Sequence, residues 1–291
     1  MRGDSDRVFL EFVRFAVEGL GDLVADWITF NEPSVYLIQS YLWGDWPPGH
    51  SNMGEFFRGF NHLVHAHRQA YNLIHEIRTS HDWHSDGMQT FVGIAHHVRV
   101  FDPLHPWNPF AWLGCRLLQF LTQDRFIRAM TGRPGRRWSD FLGLNYYTRD
   151  MVAIAWNPGG MFTETRVRTG TPVNGLGWEI YPEGLGRLIR HYGREWELPV
   201  WITENGTADA SDAFRSTFIV DHLGEIADCI ADGIPVERYY HWTLMDNFEW
   251  IEGNAARFGL IEVDYASQKR TVRPSGRLYA LICASRSWTP G

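Results

Sequence analysis

Two acidic side chains in this sequence each stand directly after a short apolar run. Glu32 lies in the segment Thr29-Phe-Asn-Glu-Pro33, and Glu204 lies in the segment Ile202-Thr-Glu-Asn-Gly206. Because an ionised glutamate is costly to bury without a partner, neither residue is expected to be core filler. Each residue alone could still be structural, through helix capping or a salt bridge. Together, at the ends of two different apolar runs, they predict a facing pair of carboxylates, which suits acid-base and nucleophilic catalysis.

Short strand-like runs alternate with helical stretches along the whole chain, a pattern typical of βα units around a parallel sheet. Strands are predicted at residues 27–30, 91–95, 141–147, 200–203 and 239–244. Helices are predicted at residues 7–20, 55–78, 112–130, 183–194, 211–230 and 274–284. Polar residues crowd the C-terminal end of each predicted strand, and that end carries the active site in a barrel of parallel strands.

The predicted strands are five, whereas a closed (β/α)8 barrel has eight. Three more βα units would need roughly 90 residues. Only 26 residues precede the first predicted strand, and they form one predicted helix; a loop and one helix follow the last strand. The sequence therefore predicts an α/β fold of the TIM-barrel type that is incomplete, built as one domain over residues 1–291.

The composition excludes several classes of function. A formal net charge of −7 and the lack of a lysine-arginine run argue against a nucleic-acid partner or a membrane-binding patch. The charged N-terminus has no apolar segment behind it, and no stretch of about 18 apolar residues occurs, so a cytoplasmic location is expected. The 14 tryptophans suit stacking on sugar rings, although large aromatic residues also serve as plain core.

Five histidines raise the question of a metal site. His62, His65 and His67 lie along one predicted helix, and His96 and His97 follow a predicted strand. No second set of ligands with metal spacing accompanies them, so no metal is expected. The sequence also has no glycine-rich loop for phosphate, and no cofactor is expected.

The segments around Glu32 and Glu204 resemble the signatures of glycoside hydrolase family 1, the β-glucosidase and β-galactosidase family. Further segments support the resemblance, at residues 138–148, 178–184 and 241–250, the last followed by Arg257-Phe-Gly. The resemblance extends from about residue 7 to residue 284. It implies an enzyme that hydrolyses or transglycosylates small β-linked glycosides with retention of configuration.

The resemblance also implies roles for the matching residues. Glu32 would be the general acid/base and Glu204 the nucleophile, with carboxyl groups about 5–5.5 Å apart as in retaining glycosidases. Tyr147 would steady the nucleophile through its hydroxyl. The substrate-binding residues implied are Asn31, at the sugar 2-hydroxyl, Asn145, Trp242 as a platform under the ring, and Glu249 and Trp250 at the 4- and 6-hydroxyls.

Residue types alone leave other interpretations open. Asn31 could cap the helix that begins near Pro33. Aromatic residues near strand ends, such as Tyr147, Trp242 and Trp250, are usually core. If the resemblance holds, a carboxylate at residue 249 would repel a 6-phosphate, which favours unphosphorylated sugars.

The chain departs from the family ahead of residue 29. Members of the family normally carry about three βα units there, including sugar-binding positions on the first and third strands. Without those units, the strands at residues 27–30 and 239–244 would have open edges, which favour association. We therefore expect a homo-oligomer formed through these edges, or a complementing N-terminal polypeptide. Two alternatives to an active glycosidase follow: an impaired remnant that binds sugar or is purely structural, and one half of a split enzyme.

Overall fold

The computed structural model of the chain describes residues 4–81, 83, 89–133, 135–156 and 163–285. Its helices are α1 (Ser5–Leu20), α2 (Pro33–Ile38), α3 (Met53–Ser80), α4 (Pro109–Gln119), α5 (Arg125–Thr131), α6 (Pro182–Trp196), α7 (Arg215–Ala231) and α8 (Pro274–Ser285). Its longer strands are β1 (Asp26–Asn31), β2 (Phe91–Pro103), β5 (Leu142–Ile154), β6 (Thr163–Arg166), β7 (Val200–Asn205), β8 (Val236–His241), β9 (Ile261–Val263) and β10 (Arg270–Val272). The short strands β3 (Gly132–Arg133) and β4 (Arg136–Arg137) pair with each other.

The main sheet has the strand order β1-β2-β5-β7-β8, with β6 paired to β5. β1 runs parallel to β2, and β7 runs parallel to β8. β6 is antiparallel to β5 and pairs with its last four residues, Met151 to Ile154. The five strands of this order are the five that the sequence predicts. Long helices lie between consecutive strands of the order, as expected for βα units.

The bounds of several elements differ from the prediction. β2 continues to Pro103 and β5 to Ile154, well past the predicted ends at residues 95 and 147. The single helix predicted at residues 112–130 is two helices, α4 and α5, joined by a π-helical turn at Phe120–Asp124. Apolar periodicity continues through such a turn, so the pattern alone does not reveal it.

The described residues group into two compact units, through which the chain passes more than once. Unit 1 comprises Met1–His97, Leu117–Leu144 and Trp196–Pro199, and unit 2 comprises Val98–Arg116, Asn145–Glu195 and Val200–Gly291. The single domain proposed for residues 1–291 stays a prediction. Within the described part of the chain, no helix is both long and apolar enough to cross a membrane.

The core of unit 1 explains why α1 and α3 form. Val13 and Val17 of α1 pack in one buried cluster with Ala70 and Ile74 of α3. Their spacing along each helix, four residues apart, places them on one face. Burying each of the larger aliphatic side chains stabilises the unit by about 1.5–3 kcal/mol.

Candidate active site

Glu32 stands directly after β1, as the residue that precedes α2. Its backbone N–H donates to the carbonyl oxygen of Ala95 in β2, at 2.8 Å. Its φ of 45° lies in the left-handed region, which costs a non-glycine residue of the order of 1–3 kcal/mol. Pro33 disfavours the right-handed helical conformation for the residue before it. Sequence therefore keeps Glu32 out of α2, and residues held in strained conformations cluster at functional sites.

The carboxylate of Glu32 contacts a histidine. Its Oε1 lies 3.1 Å from Nδ1 of His97 in β2, and both side chains are largely buried, with 19% and 14% exposed. Backbone and side chain of Glu32 are therefore both tied to β2. His97 was not among the predicted site residues. The sequence feature that marks His97 is its position two residues after the apolar run at 91–95, where polar residues crowd the predicted strand end.

The other histidines near this end of β1 and β2 are neutral at physiological pH. Burial lowers the pKa of His67 to about 4 and that of His96 to about 3. His67 lies with its Nδ1 2.7 Å from the hydroxyl of Thr29, and His96 lies with its Nε2 3.3 Å from the hydroxyl of Thr131. Both are held as neutral hydrogen-bonding core residues of unit 1.

Glu204 lies in unit 2, near the end of β7. The hydroxyl of Tyr147 in β5 donates to its Oε2 at 2.6 Å. This length is typical of a hydrogen bond from O–H to a carboxylate, the stronger charge-assisted kind. The contact that the family resemblance implies for Tyr147 is therefore present, while its catalytic role stays a prediction.

The residues after Glu204 fix its strand. Asn205 is fully buried, donates through Nδ2 to the carbonyl oxygen of Tyr146 at 2.9 Å, and accepts from the hydroxyl of Tyr239 at 2.9 Å. Gly206 follows, and a Cβ atom there would overlap the carbonyl oxygen of Trp242. The amide of Asn205 therefore fixes this end of β7 between Tyr146 and Tyr239. Gly206 allows the close approach of the chain to Trp242.

The predicted substrate-binding residues have distinct surroundings. In unit 2, the indole N–H of Trp242 donates to Oε1 of Glu249 at 2.9 Å, so the structure brings these two together. Trp250 has 65% of its surface exposed. Asn145 is fully buried, and its Oδ1 accepts from the hydroxyl of Thr203 at 2.6 Å. In unit 1, Asn31 is an exposed residue at the end of β1.

Two aromatic residues surround Tyr147 and were not predicted as site residues. Trp178 lies 5.8 Å from the ring of Tyr147, and Phe258 lies 6.2 Å from it, both edge-on. Trp242 packs against the same cluster. Both residues belong to segments that carry the family resemblance, which was the available signal. They hold the ring whose hydroxyl reaches Glu204.

Asp246 anchors the loop that carries Glu249 and Trp250. Its side chain is fully buried and pairs with Arg273 at 3.0 Å and with Arg257 at 3.2 Å. Burial alone would raise the pKa of Asp246, but hydrogen bonds from Arg273 and from the N–H groups of Gly259 and Val263 outweigh it and lower the pKa.

Asp246→Ala is expected to destabilise the fold by about 3–5 kcal/mol, because it leaves the buried guanidinium of Arg273 without its carboxylate. Urea unfolding measures this loss, and Asp228→Ala, on the exposed face of α7, serves as the control with an unchanged midpoint. Since the folded pKa of Asp246 is depressed below about 3.9, its contribution is present above that pH and is lost as the pH falls further. A midpoint of Asp246→Ala within experimental error of the wild type would contradict the role of Asp246 as the anchor of this loop.

Comparisons with known proteins agree with this geometry. Glycosyl hydrolase family 1 matches residues 5–112 and 127–287. The chain is 30% identical to "Galactolipid galactosyltransferase SFR2, chloroplastic" of Arabidopsis thaliana over 95% of its own length and 43% of that protein. It is 31% identical to "Beta-glucosidase A" of Thermotoga maritima, over 94% of the chain and 66% of that protein.

A solved structure, the "beta-glycosidase from Pyrococcus horikoshii", superposes with a TM-score of 0.88 at 31% identity. The match covers 99% of this chain and 67% of that one. The chain thus spans between two fifths and about two thirds of the length of these relatives. The predicted fold, a (β/α)8 barrel type represented by part of its strands, is confirmed. A family match over most of the chain decides its membership, and the chain belongs to glycosyl hydrolase family 1.

Proposed function

We propose that this chain is a retaining β-glycosidase that hydrolyses, or transglycosylates, small β-linked glycosides. The observation that carries the proposal is the 2.6 Å hydrogen bond from Tyr147 to Glu204 near the end of a parallel strand, in a chain of this family. A hydrogen bond from a hydroxyl favours the charged form of a carboxylate and fixes its orientation, and a nucleophile requires both. The strained Glu32, at the end of a second parallel strand, is the proposed acid/base.

In the first step of the proposed reaction, a carboxylate oxygen of Glu204 attacks the anomeric carbon. The bond from that carbon to the glycosidic oxygen breaks, and Glu32 gives its proton to the departing oxygen. The sugar is then joined to Glu204 as an ester. The hydrogen bond from Tyr147 restrains Glu204 in the attacking orientation and weakens as negative charge leaves the carboxylate.

In the second step, Glu32 is a carboxylate and acts as the base. It takes a proton from water, whose oxygen attacks the anomeric carbon and releases Glu204. Two displacements at one carbon retain its configuration. If a sugar or lipid hydroxyl replaces water, the product is a transferred glycoside. The relatives include one protein named a beta-glucosidase and one named a galactolipid galactosyltransferase.

The sugar in the proposed reaction carries no 6-phosphate. Glu249 accepts from Trp242, and a second negative charge beside its carboxylate would be repelled. The proposal is tested by comparing 4-nitrophenyl β-glucoside with its 6-phosphate ester at equal concentration. Faster hydrolysis of the phosphorylated substrate would refute this part.

The proposed setting is cytoplasmic, with association through the ends of the main sheet. β1 and β8 end the strand order, and each exposes a large side chain there, Ile28 at 48% and Tyr240 at 46%. We propose that a second copy or a complementing N-terminal polypeptide covers these edges. A monodisperse monomer by light scattering at micromolar concentration, whose activity an added N-terminal polypeptide leaves unchanged, would contradict both.

The stereochemistry of the first product tests the enzyme itself. Proton NMR of an aryl β-glucoside incubated with the full chain is expected to show the β-anomer of glucose first, before mutarotation. The α-anomer first would exclude a retaining mechanism. Sugar binding without turnover would favour the remnant, and turnover only with an added N-terminal polypeptide would favour the split enzyme.

A further inference from the structure

The contact between Glu32 and His97 bears on how an acid/base residue delivers its proton. Glu32 Oε1 and His97 Nδ1 are 3.1 Å apart, and the main-chain N–H of Glu32 is held by Ala95, two residues before His97 in the same strand. An ionised carboxylate can only accept hydrogen bonds. His97 must therefore carry a proton on Nδ1 whenever Glu32 is ionised.

If Nδ1–H of His97 persists when Glu32 is protonated, Oε1 still accepts and the acidic proton belongs on Oε2. Of the two carboxyl oxygens of Glu32, only one can deliver the proton to the leaving group. The hydrogen bond thus selects the oxygen that acts as the acid, and it restrains the carboxyl plane about χ3, a torsion that is otherwise broad.

We infer that His97 is a positioning residue that donates from Nδ1 to Oε1 of Glu32 and so assigns proton delivery to Oε2. The inference rests on the proposed function for the step it affects, whereas the hydrogen bond itself can be tested without turnover.

Leaving groups of different acidity separate this role from a packing role. Departure of 2,4-dinitrophenolate needs little acid assistance, whereas departure of phenolate needs it. His97→Leu is expected to lower kcat/KM for phenyl β-glucoside about 10- to 100-fold, the cost of a misplaced catalytic group, and that for 2,4-dinitrophenyl β-glucoside less than about threefold. His97→Asn, whose amide N–H can take the place of Nδ1–H, is expected to restore the phenyl substrate to within about fivefold of the wild type.

His96→Leu is the matched control. His96 is the preceding residue of the same strand, is buried, and contacts Thr131 instead of Glu32. Its loss is expected to change both substrates by the same factor. Equal losses on both substrates in His97→Leu, or no recovery in His97→Asn, would overturn the inference. Failure of the wild type to hydrolyse even the dinitrophenyl substrate would instead count against the proposed function.

Nitrogen NMR of protein labelled with ¹⁵N-histidine gives a readout that needs no activity. The signal of His97, identified by its absence in His97→Asn, is expected to show a protonated Nδ1 in the wild type. It is expected to shift in Glu32→Gln more than the signal of His96 does. An unprotonated Nδ1, or an unchanged signal in Glu32→Gln, would refute the hydrogen bond and with it the inference.

Discussion

Glu204→Gln is expected to lower kcat/KM for 4-nitrophenyl β-glucoside by about 10⁴-fold or more, the scale on which a lost nucleophile acts in other covalent mechanisms. The amide cannot attack the anomeric carbon, but it has the size of the carboxylate. Its Oε1 can still accept from the hydroxyl of Tyr147, which donates to Glu204 at 2.6 Å in the wild type. The variant should therefore fold normally, and steady-state kinetics beside urea unfolding measure both effects.

Glu262→Gln is the control for this experiment, since it makes the same change at an exposed residue of β9 and should keep wild-type kinetics. Tyr147→Phe keeps the nucleophile and removes one hydrogen bond to it, so an intermediate loss of about 10²-fold is expected. Glu204→Gly with added azide should form the α-glycosyl azide, because one displacement inverts the configuration. Activity of Glu204→Gln within tenfold of the wild type would contradict the assigned nucleophile.

Glu32→Gln is expected to show a loss that depends on the leaving group. General acid assistance contributes about 10²- to 10⁴-fold, so phenyl β-glucoside should lose that much in kcat/KM. For 2,4-dinitrophenyl β-glucoside the loss should be roughly tenfold or smaller, because its departure needs little protonation. A series of aryl glucosides of graded phenol pKa measures the difference as a slope.

The same variant should accumulate the glycosyl-enzyme with the dinitrophenyl substrate, because the second step has lost its base. Azide, which needs no base, should then speed turnover and give the β-glycosyl azide. Glu55→Gln, at the start of α3, is a matched change outside the proposed reaction. A flat dependence on the leaving group, with no azide product, would remove Glu32 from the acid/base role.

Much of the scaffold was predictable because its signals are local. Each of the five strands of the main order overlaps a predicted apolar run, although β8 shares only residues 239–241 with the run predicted at 239–244. The two glutamates follow such runs directly, so their placement after β1 and in β7 could be predicted. Their surroundings could not be predicted without the family resemblance, since contacts between segments far apart in sequence leave no periodic trace.

The elements that escaped prediction are those fixed by tertiary contacts. β6 is polar and exposed along most of its length, and it exists through pairing with β5. α2 has six residues, too few for a helical period to show. His97 follows an apolar run like the predicted site residues, but that position does not reveal its partner. Its contact with a carboxylate 65 residues earlier appears only once β1 lies beside β2.

The close approach at Gly206 links the position of the strand that bears Glu204 to the position of the segment that bears Trp242. Any side chain at that position would collide with the main chain of Trp242, so a substitution there would push the strand that bears Glu204 away from the segment that bears the indole. A mutant library designed to change the sugar preference should keep Gly206 and vary residues that follow Trp242. Variation at Gly206 itself is expected to yield inactive clones, whatever sugar is screened.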